Sequence, residues 1–326
     1  MLEERRIVID LVDVGARNGV TEVGQLARFV RAHGFEPNPT EFVKLQSGRT
    51  DAFLVHGVAP PPYRELTYWP FALGNRRGRS GFTVTPVPGS AGILPPDLER
   101  MREIVWKGRS YLRTLADDVF AGYETIEVEL RTLDDFAQEH ALDHVDYLKI
   151  DVEGSEYEVL EGTRALLPRT GVIRVETCFV PMRKGQKLFS HVDLLLREHG
   201  FDLLRYEIDP AQVGYKQRLT PVEDLHDSRV PDPHGQALCC DAIYVNREIS
   251  DPDRSLAQAA VLLSRDYVDE ALHVLRTRAN VNDEHFLELL RRVQVAGPSV
   301  TLRRAGYRAV DRIVRLLQSG ARAIRS

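Results

Sequence analysis

The sequence is poor in cysteine. It has three in 326 residues (Cys178, Cys239, Cys240), an odd number with no metal-binding spacing. A disulfide framework or a cysteine-bound structural metal is thereby excluded, and a reducing compartment is the expectation. No apolar run is long enough to span a bilayer. Met1-Leu2-Glu3-Glu4-Arg5-Arg6 leads straight into a short apolar segment bearing Asp10 and Asp13, so neither a signal peptide nor a membrane span is expected. A strong charge of one sign is lacking too. The net charge of −5 makes neither nucleic acid nor an acidic polymer the obvious partner. What remains is ordinary for a soluble globular protein, with 43% hydrophobic and 28% charged residues, and cytoplasmic localisation is the expectation.

Charge is unevenly spread. From Gly297 to Ser326 there are seven arginines against one acid, Asp311. Apolar residues between Leu302 and Leu317 fall on one helical face, with arginine on the other. Such a helix suits an anionic membrane surface, contacted through residues 302–325, which would make the protein peripheral at the inner membrane face. Docking onto the acidic remainder of the chain, or onto a second subunit, is the alternative.

Strand-like and helix-like segments alternate over most of residues 5–248, which argues a doubly wound α/β domain. Ile7–Val14 reads as the first strand. Val20–His33 has helical spacing, closed by Gly34, and Phe35-Glu36 reads as a short second strand. Asn38 caps a helix with Pro39 at its first position. A third strand runs over Leu66–Leu73. The alternation breaks down in an insertion at about 75–125, with a helix around Asp97–Trp106 and a strand at Thr125–Leu130. It then resumes with a helix at Asp134–His140, a strand at Val145–Val152, a helix at Ser155–Leu167 and a strand at Gly171–Val175. A helix at His191–His199 precedes a closing antiparallel pair near Phe201–Ile208 and Ala237–Val245. Residues 1–248 thus form the main domain, 249–296 a helical hairpin (helices Ser255–Leu275 and Asp283–Val295) and 297–326 the basic amphipathic helix.

The most informative stretch is Leu148-Lys149-Ile150-Asp151-Val152-Glu153-Gly154. Apolar residues alternate with three ionisable ones, so a strand buried in a parallel sheet carries Lys149, Asp151 and Glu153 on one face. Unpaired charge there costs several kcal/mol at least, so these groups must meet partners, a ligand or the open end of the sheet. Ligands bind beyond the carboxyl ends of strands in such sheets, and Gly154 ends this one. A Lys–Asp pair that only braces the sheet is the alternative. Asp13-Val14-Gly15-Ala16-Arg17-Asn18-Gly19 joins a strand to a helix where a nucleotide-binding turn belongs, and Glu36, 21 residues after Gly15, is placed to accept ribose hydroxyls. The dinucleotide pattern has a glycine where this chain has Asp13. A carboxylate there repels a diphosphate and suits S-adenosylmethionine, which carries an ammonium and a sulfonium.

Taken together, Asp13-Val14-Gly15-Ala16 with Gly19, Phe35-Glu36-Pro37-Asn38-Pro39, Phe71-Ala72-Leu73-Gly74, Thr132-Leu133-Asp134, the Lys149–Gly154 block with Glu156 and Gly162, and Val175-Glu176 resemble the FkbM family of S-adenosylmethionine-dependent methyltransferases over residues 7–180. The resemblance implies a Rossmann-like seven-stranded sheet of the class I methyltransferase type, here followed by a C-terminal helical appendage. It implies donor contacts at Asp13, Gly15, Ala16, Gly19, Glu36, Asn38, Ala72 and Leu73. It also implies O-methylation of a sugar, glycoconjugate or secondary-metabolite hydroxyl. The insertion at 75–125 matches nothing in the family pattern.

Methyl transfer to a hydroxyl needs alignment and a base. Asp151 is the first candidate for the base, Lys149 its positioning cation, and Glu153 and Glu176 candidate contacts to acceptor hydroxyls. A second possibility places Mg²⁺ between Asp151 and Glu176, although the sequence shows no clear third ligand. His56, His140, His144 and His191 read as surface or packing residues, and Tyr68, Trp69 and Phe71 as either pocket wall or core. Two other classes stay open. One is a nicotinamide-dependent sugar oxidoreductase or epimerase, for which only Tyr147 and Lys149 offer a Tyr–Lys pair. The other is a non-catalytic donor-binding module.

Overall fold

The computed structural model describes residues 1–106, 114–207, 213–216, 236–282 and 286. Its strands are β1 (Ile9–Val14), β2 (Val30–Phe35), β3 (Glu65–Trp69), β4 (Ala72–Leu73), β5 (Gly78–Val84), β6 (Ile104–Trp106), β7 (Glu124–Arg131), β8 (Val145–Ile150), β9 (Thr170–Cys178), β10 (Phe201–Glu207), β11 (Val213–Lys216), β12 (Gln236–Ala237) and β13 (Cys239–Asn246). The helices are α1 (Pro39–Ser47), α2 (Asp51–His56), α3 (Leu98–Met101), α4 (Leu115–Val119), α5 (Leu133–Glu139), α6 (Glu156–Glu161), α7 (Phe189–Glu198), α8 (Pro252–Ser264) and α9 (Val268–Thr277).

Seven strands form the main sheet in the order β10-β13-β9-β8-β1-β2-β3. The five central and far strands run parallel, and β13 and β10 close the sheet as an antiparallel pair. From β1 the chain goes to β2 on one side, while β8 lies on the other. That reversal opens a crevice at the carboxyl ends of β1 and β8, where ligands bind in such folds.

Alternation along the strands sends side chains to two cores. Val12, Val14, Leu148, Ile150, Ile173 and Val175 pack under α5, α6 and α7. Ile9, Leu11, Tyr147, Val172 and Ile243 face α8, α9 and a 3-10 turn at Gly24–Phe29. The C-terminal hairpin is therefore part of the core. Leu256, Ala257 and Ala259–Leu263 are wholly buried, and buried Gln258 donates to the carbonyls of Gly171 (2.8 Å) and Asn246 (3.0 Å). A helix apolar on nearly every side is stable only when enclosed.

The N-terminus of α8 is pinned to the amino end of the sheet. Arg254 Nη1 donates to Asp146 Oδ2 (3.0 Å) and to the Val8 carbonyl (3.1 Å), and Asp146 also accepts the Asp10 amide (2.9 Å). Asp10, His144 and Asp146 lie close enough to hold a metal ion, but two guanidiniums already occupy them, Arg254 on Asp146 and Arg31 Nε on Asp10 (2.6 Å). Removing Arg254 leaves a buried carboxylate uncompensated. Because the arginine is partly exposed, Arg254→Met is expected to cost about 2 kcal/mol in urea unfolding.

Several local expectations fail for identifiable reasons. Val20–His33 is not a helix. Its second part is β2, in which Val30 and Ala32 are buried and Arg31 and His33 half-buried, and six residues pair with β1. Gly34 does not close a helix. A Cβ there would lie 2.7 Å from the Tyr68 ring, so the glycine lets two strands and an aromatic ring approach. The third strand stops at Trp69 because Pro70 supplies no N–H, and Ala72–Leu73 joins a second sheet with β7 and β5. The helix expected at Asp97–Trp106 spans only Leu98–Met101, and Ile104–Trp106 pairs with β11. The helix expected over Ser155–Leu167 ends at Glu161, where Gly162 passes so close to Gly74 that a Cβ would lie 1.9 Å from its carbonyl oxygen. Ser255–Leu275, expected as one helix, spans most of both α8 and α9, which are separated by a turn at Asp266 in the left-handed region (φ 64°). The helix expected at Asp283–Val295 (apart from Phe286) and the basic segment 297–326 lie outside the described residues. No helix among the described residues is long and apolar enough to cross a membrane.

Candidate active site

A cleft of about 360 Å³ opens at the β1/β8 crevice. The β1–β8–β9 register explains its floor. Leu11, Tyr147 and Val172 form one apolar row, and the next row toward the carboxyl ends is Asp13, Lys149 and Arg174. Beyond it come Asp151 and, opposite one another, Glu176 and Asp241. One sheet face thus turns from apolar to charged where helix cover gives way to the cleft.

Asp13 is 3% exposed and accepts from Lys149 Nζ at 3.0 Å, while Asp151 Oδ2 lies 3.4 Å from the same ammonium. Burial works against the charge on Lys149, yet Asp13 and Asp151 together hold its pKa above the usual lysine range. Arg174 bridges Glu22 and Asp241 at 2.8 Å each. Glu22 also accepts from Arg265 (2.6 Å), which follows α8, and from the Tyr147 hydroxyl (3.1 Å). The C-terminal hairpin therefore reaches the cleft floor through Arg265.

The glycine turn is as tight as the sequence suggests. Gly15 and Ala16 amides both donate to the Phe35 carbonyl, at 3.1 and 2.9 Å. Gly15 (φ 93°) and Gly19 (φ 89°) occupy conformations that favour glycine. Glu36 follows β2, and one of its oxygens accepts the Asn38 amide at 2.8 Å. Asn38 caps α1 by accepting from Thr40. Burial pushes Glu36 up to about 7.

At the end of β8 the backbone turns sharply, with Glu153 in the left-handed region (φ 60°) followed by Gly154 (φ 112°). Glu156 Oε1 secures this turn by accepting the amides of Val152 (3.2 Å) and Gly154 (2.8 Å). The strained Glu153 backbone brings its carboxylate beside those of Asp151 and Glu176, with ligand oxygens all within 4.8 Å of one another. Burial and then Asp151 raise Glu153 to about 8, and burial, Asp151 and Glu153 push Glu176 well above its ordinary value. Glu153 adds a third carboxylate, which strand spacing alone did not reveal, to a cluster whose geometry could hold a metal ion.

Asp13, Gly15, Ala16, Gly19, Glu36, Asn38, Lys149, Asp151 and Glu153 all line the cleft. Ala72 and Leu73 do not. They are 5% and 2% exposed in β4, Ala72 packing with Phe82 and Leu130, Leu73 in the core beneath the sheet. Glu176 meets the site through the carboxylate cluster. Tyr68, Trp69, Phe71 and the four histidines lie outside the lining. Trp69, Phe71 and His140 belong to an aromatic cluster around Phe136.

Sequence reading missed Arg17, Glu22, Glu41 and Arg174, and the insertion residues Phe82, Pro88, Gly89 and Ala91, all of which line the cleft. Two-residue spacing from Val172 to Glu176 was the available signal for Arg174; the insertion residues had none. Asn18 Oδ1 is buried at the cleft without a hydrogen bond, a polar atom that a ligand donor would satisfy, while Glu41 Oε2, also without one, faces Arg17 Nη1 at 3.7 Å.

The profile of the methyltransferase FkbM domain matches residues 13–203, a span that contains every cleft residue named above. The chain belongs to the FkbM methyltransferase family. Among relatives of this FkbM protein, methyltransferase sdnD of Sordaria araneosa is 26% identical over 206 residues, covering 60% of this chain and 74% of that protein. The 2-O-methyltransferase NoeI of Sinorhizobium fredii is 25% identical over 194 residues, covering 57% and 70%. No solved structure matches this FkbM chain.

Proposed function

We propose that the protein is an S-adenosylmethionine-dependent O-methyltransferase acting on a hydroxyl of a sugar, glycoconjugate or secondary metabolite. The observation that carries this is the placing of Asp13, Gly15 and Glu36 in one cleft with the Lys149–Asp151 pair. When bound, the donor supplies a methyl group on a positively charged sulfur. The chain's own residues do the rest. Gly15 lets the backbone approach closely, Asp13 sets a negative potential for the donor's cationic groups, and Glu36 accepts its ribose hydroxyls. Asp151, whose side chain is 39% exposed, takes the proton that the acceptor hydroxyl gives up, and Lys149 holds it in place. The similarity to NoeI, a 2-O-methyltransferase, supports oxygen as the acceptor atom. In a second reading the Asp151, Glu153 and Glu176 oxygens would hold Mg²⁺, which would supply positive charge to the acceptor oxygen, and Asp151 would then be a ligand instead of the base. Chelator treatment and re-addition of Mg²⁺ tests this by turnover and by thermal shift. The basic segment 302–325 would bring the enzyme to an anionic membrane surface, and vesicle co-sedimentation tests that.

Calorimetric titration with S-adenosylmethionine, its demethylated product and NADH, on wild type, Asp13→Ala and Glu36→Ala, tests the donor assignment. Saturable binding of the first two alone, lost in both variants, is expected. Binding of NADH instead would favour the oxidoreductase class, and binding of nothing would overturn the assignment.

Glu36 also predicts a pH dependence. Its pKa is raised to about 7, so the carboxylate takes up a proton between pH 8 and pH 6 and loses its capacity to accept two hydroxyls. Donor affinity should therefore fall about 10-fold over that interval. In Glu36→Gln it should be weak throughout and nearly flat with pH.

A further inference from the structure

The cleft wall opposite the glycine turn comes from the insertion, through Pro88, Gly89 and Ala91. This wall has few ties of its own. Gly92 exchanges backbone hydrogen bonds with Thr83 of β5 (2.8 and 3.1 Å), and residues 88–90 form a single 3-10 turn. On its far side sits Arg183, only 3% exposed, from the loop between β9 and α7. Its Nη1 donates to the Leu94 carbonyl at 2.8 Å and its Nη2 to the Ser90 carbonyl at 2.6 Å. One planar guanidinium thus grips the wall at both ends. Its own backbone is held in turn, since Gln186 Oε1 accepts the amides of Met182 and Arg183 at 2.8 and 3.1 Å.

The same side chain touches the catalytic turn. A Cβ on Gly154 would lie 2.8 Å from Arg183 Cδ. A Cβ on Gly92 would lie 3.0 and 3.1 Å from the carbonyls of Val152 and Glu153, and 3.3 Å from Arg183 Cζ. The wall, the guanidinium and the end of β8 are therefore in mutual contact. Burying a guanidinium is costly unless charge-assisted hydrogen bonds and nearby anions offset it. Here two carbonyl acceptors and the nearby Glu153, Glu156 and Glu176 oppose that cost without cancelling it, and burial still lowers the guanidinium's pKa. A mere packing site would not need two fixed donors, whereas two carbonyls four residues apart need a rigid fork.

We propose that Arg183 is a positioning residue that clamps residues 88–94 against the end of β8 and so sets the width of the donor cleft. The clamp rests on the donor reading above for its functional meaning. It acts on a wall built from the segment between β5 and α3, and couples that wall to the Val152–Gly154 turn beside the base. A lysine keeps the charge but cannot hold both carbonyls with the same geometry. A methionine keeps the packing and loses both hydrogen bonds.

Three variants of the full chain test the clamp: Arg183→Lys, Arg183→Met and Gly92→Ala. The last keeps the arginine but crowds the Val152 and Glu153 carbonyls and the guanidinium itself, pushing the wall outward. The readouts are amide hydrogen exchange of peptides covering residues 85–94 without ligand, and S-adenosylmethionine affinity by calorimetry. Expected are faster exchange in that segment in all three, with affinity about 10-fold weaker in Arg183→Lys and about 100-fold weaker in Arg183→Met and Gly92→Ala. In turnover the donor KM should rise by more than kcat falls. Unchanged exchange in 85–94, or wild-type affinity in Arg183→Met and Gly92→Ala, overturns the clamp. If wild type itself binds no S-adenosylmethionine, the donor assignment falls, and the exchange experiment alone still decides whether Arg183 holds the wall.

Discussion

Gly15→Ala should abolish donor binding and lower stability by roughly 3–5 kcal/mol, the largest loss expected of any single methyl group in this protein. Two independent obstacles meet there. The backbone is at φ 93°, where an L side chain is strained, and the new Cβ would lie 1.9 Å from the Asp151 carbonyl oxygen. That neighbour is backbone at the end of β8, so no rotamer change relieves the clash. Separating β1 from β8 would pull Asp13 from Lys149 and the Asp151 amide from the Val14 carbonyl (3.0 Å). Urea unfolding beside calorimetry checks the result. A variant that folds at wild-type stability and binds S-adenosylmethionine normally would mean that the turn differs from the one described.

Asp151→Asn should leave donor affinity unchanged and reduce the rate of methyl transfer by about 10²–10⁴-fold, the usual contribution of a positioned base. Asparagine keeps the shape, and Lys149 remains tied to Asp13. Only the proton acceptor is lost. The test is single-turnover transfer to a hydroxyl acceptor found by screening nucleotide sugars and glycans. Full turnover in Asp151→Asn would move the base to Glu153 or Glu176, and loss in each of Asp151→Asn, Glu153→Gln and Glu176→Gln would point to shared metal ligation instead. Unimpaired biological function in Asp151→Asn, with donor binding intact, would favour the non-catalytic module.

Much of this site was legible in the chain. Alternation in Leu148–Gly154 puts Lys149, Asp151 and Glu153 at the end of a buried strand, and a strand followed by Asp13-Val14-Gly15 forces a close backbone approach. Strand β1, the α1 cap at Asn38 and the antiparallel closing pair follow from equally local chemistry: apolar run length, a capping side chain with proline behind it, and a short connection. Such signals are carried by residues within a few positions of one another, so they survive without knowledge of the fold.

Other features had no local signature. Val20–His33 carries helical spacing but yields its last four residues to β2, because the strand's six ladder pairings with β1 outweigh a weak periodicity. Gly34 has the composition of a helix stop and serves instead to admit the Tyr68 ring. Arg174 and Arg265 stand 152 and 243 positions from Glu22 along the chain, yet both donate hydrogen bonds to it under the cleft. Arg183 meets Ser90 and Leu94 in the same way, across 93 and 89 positions. By itself the sequence determined which faces are apolar, where the chain must bend tightly and which charges stand at strand ends. Which distant segments satisfy those charges, and which loop walls the cleft, only the tertiary structure decided. A side-chain pattern specifies what kind of partner a group needs, while the long-range packing of the sheet and its cover selects the one it gets.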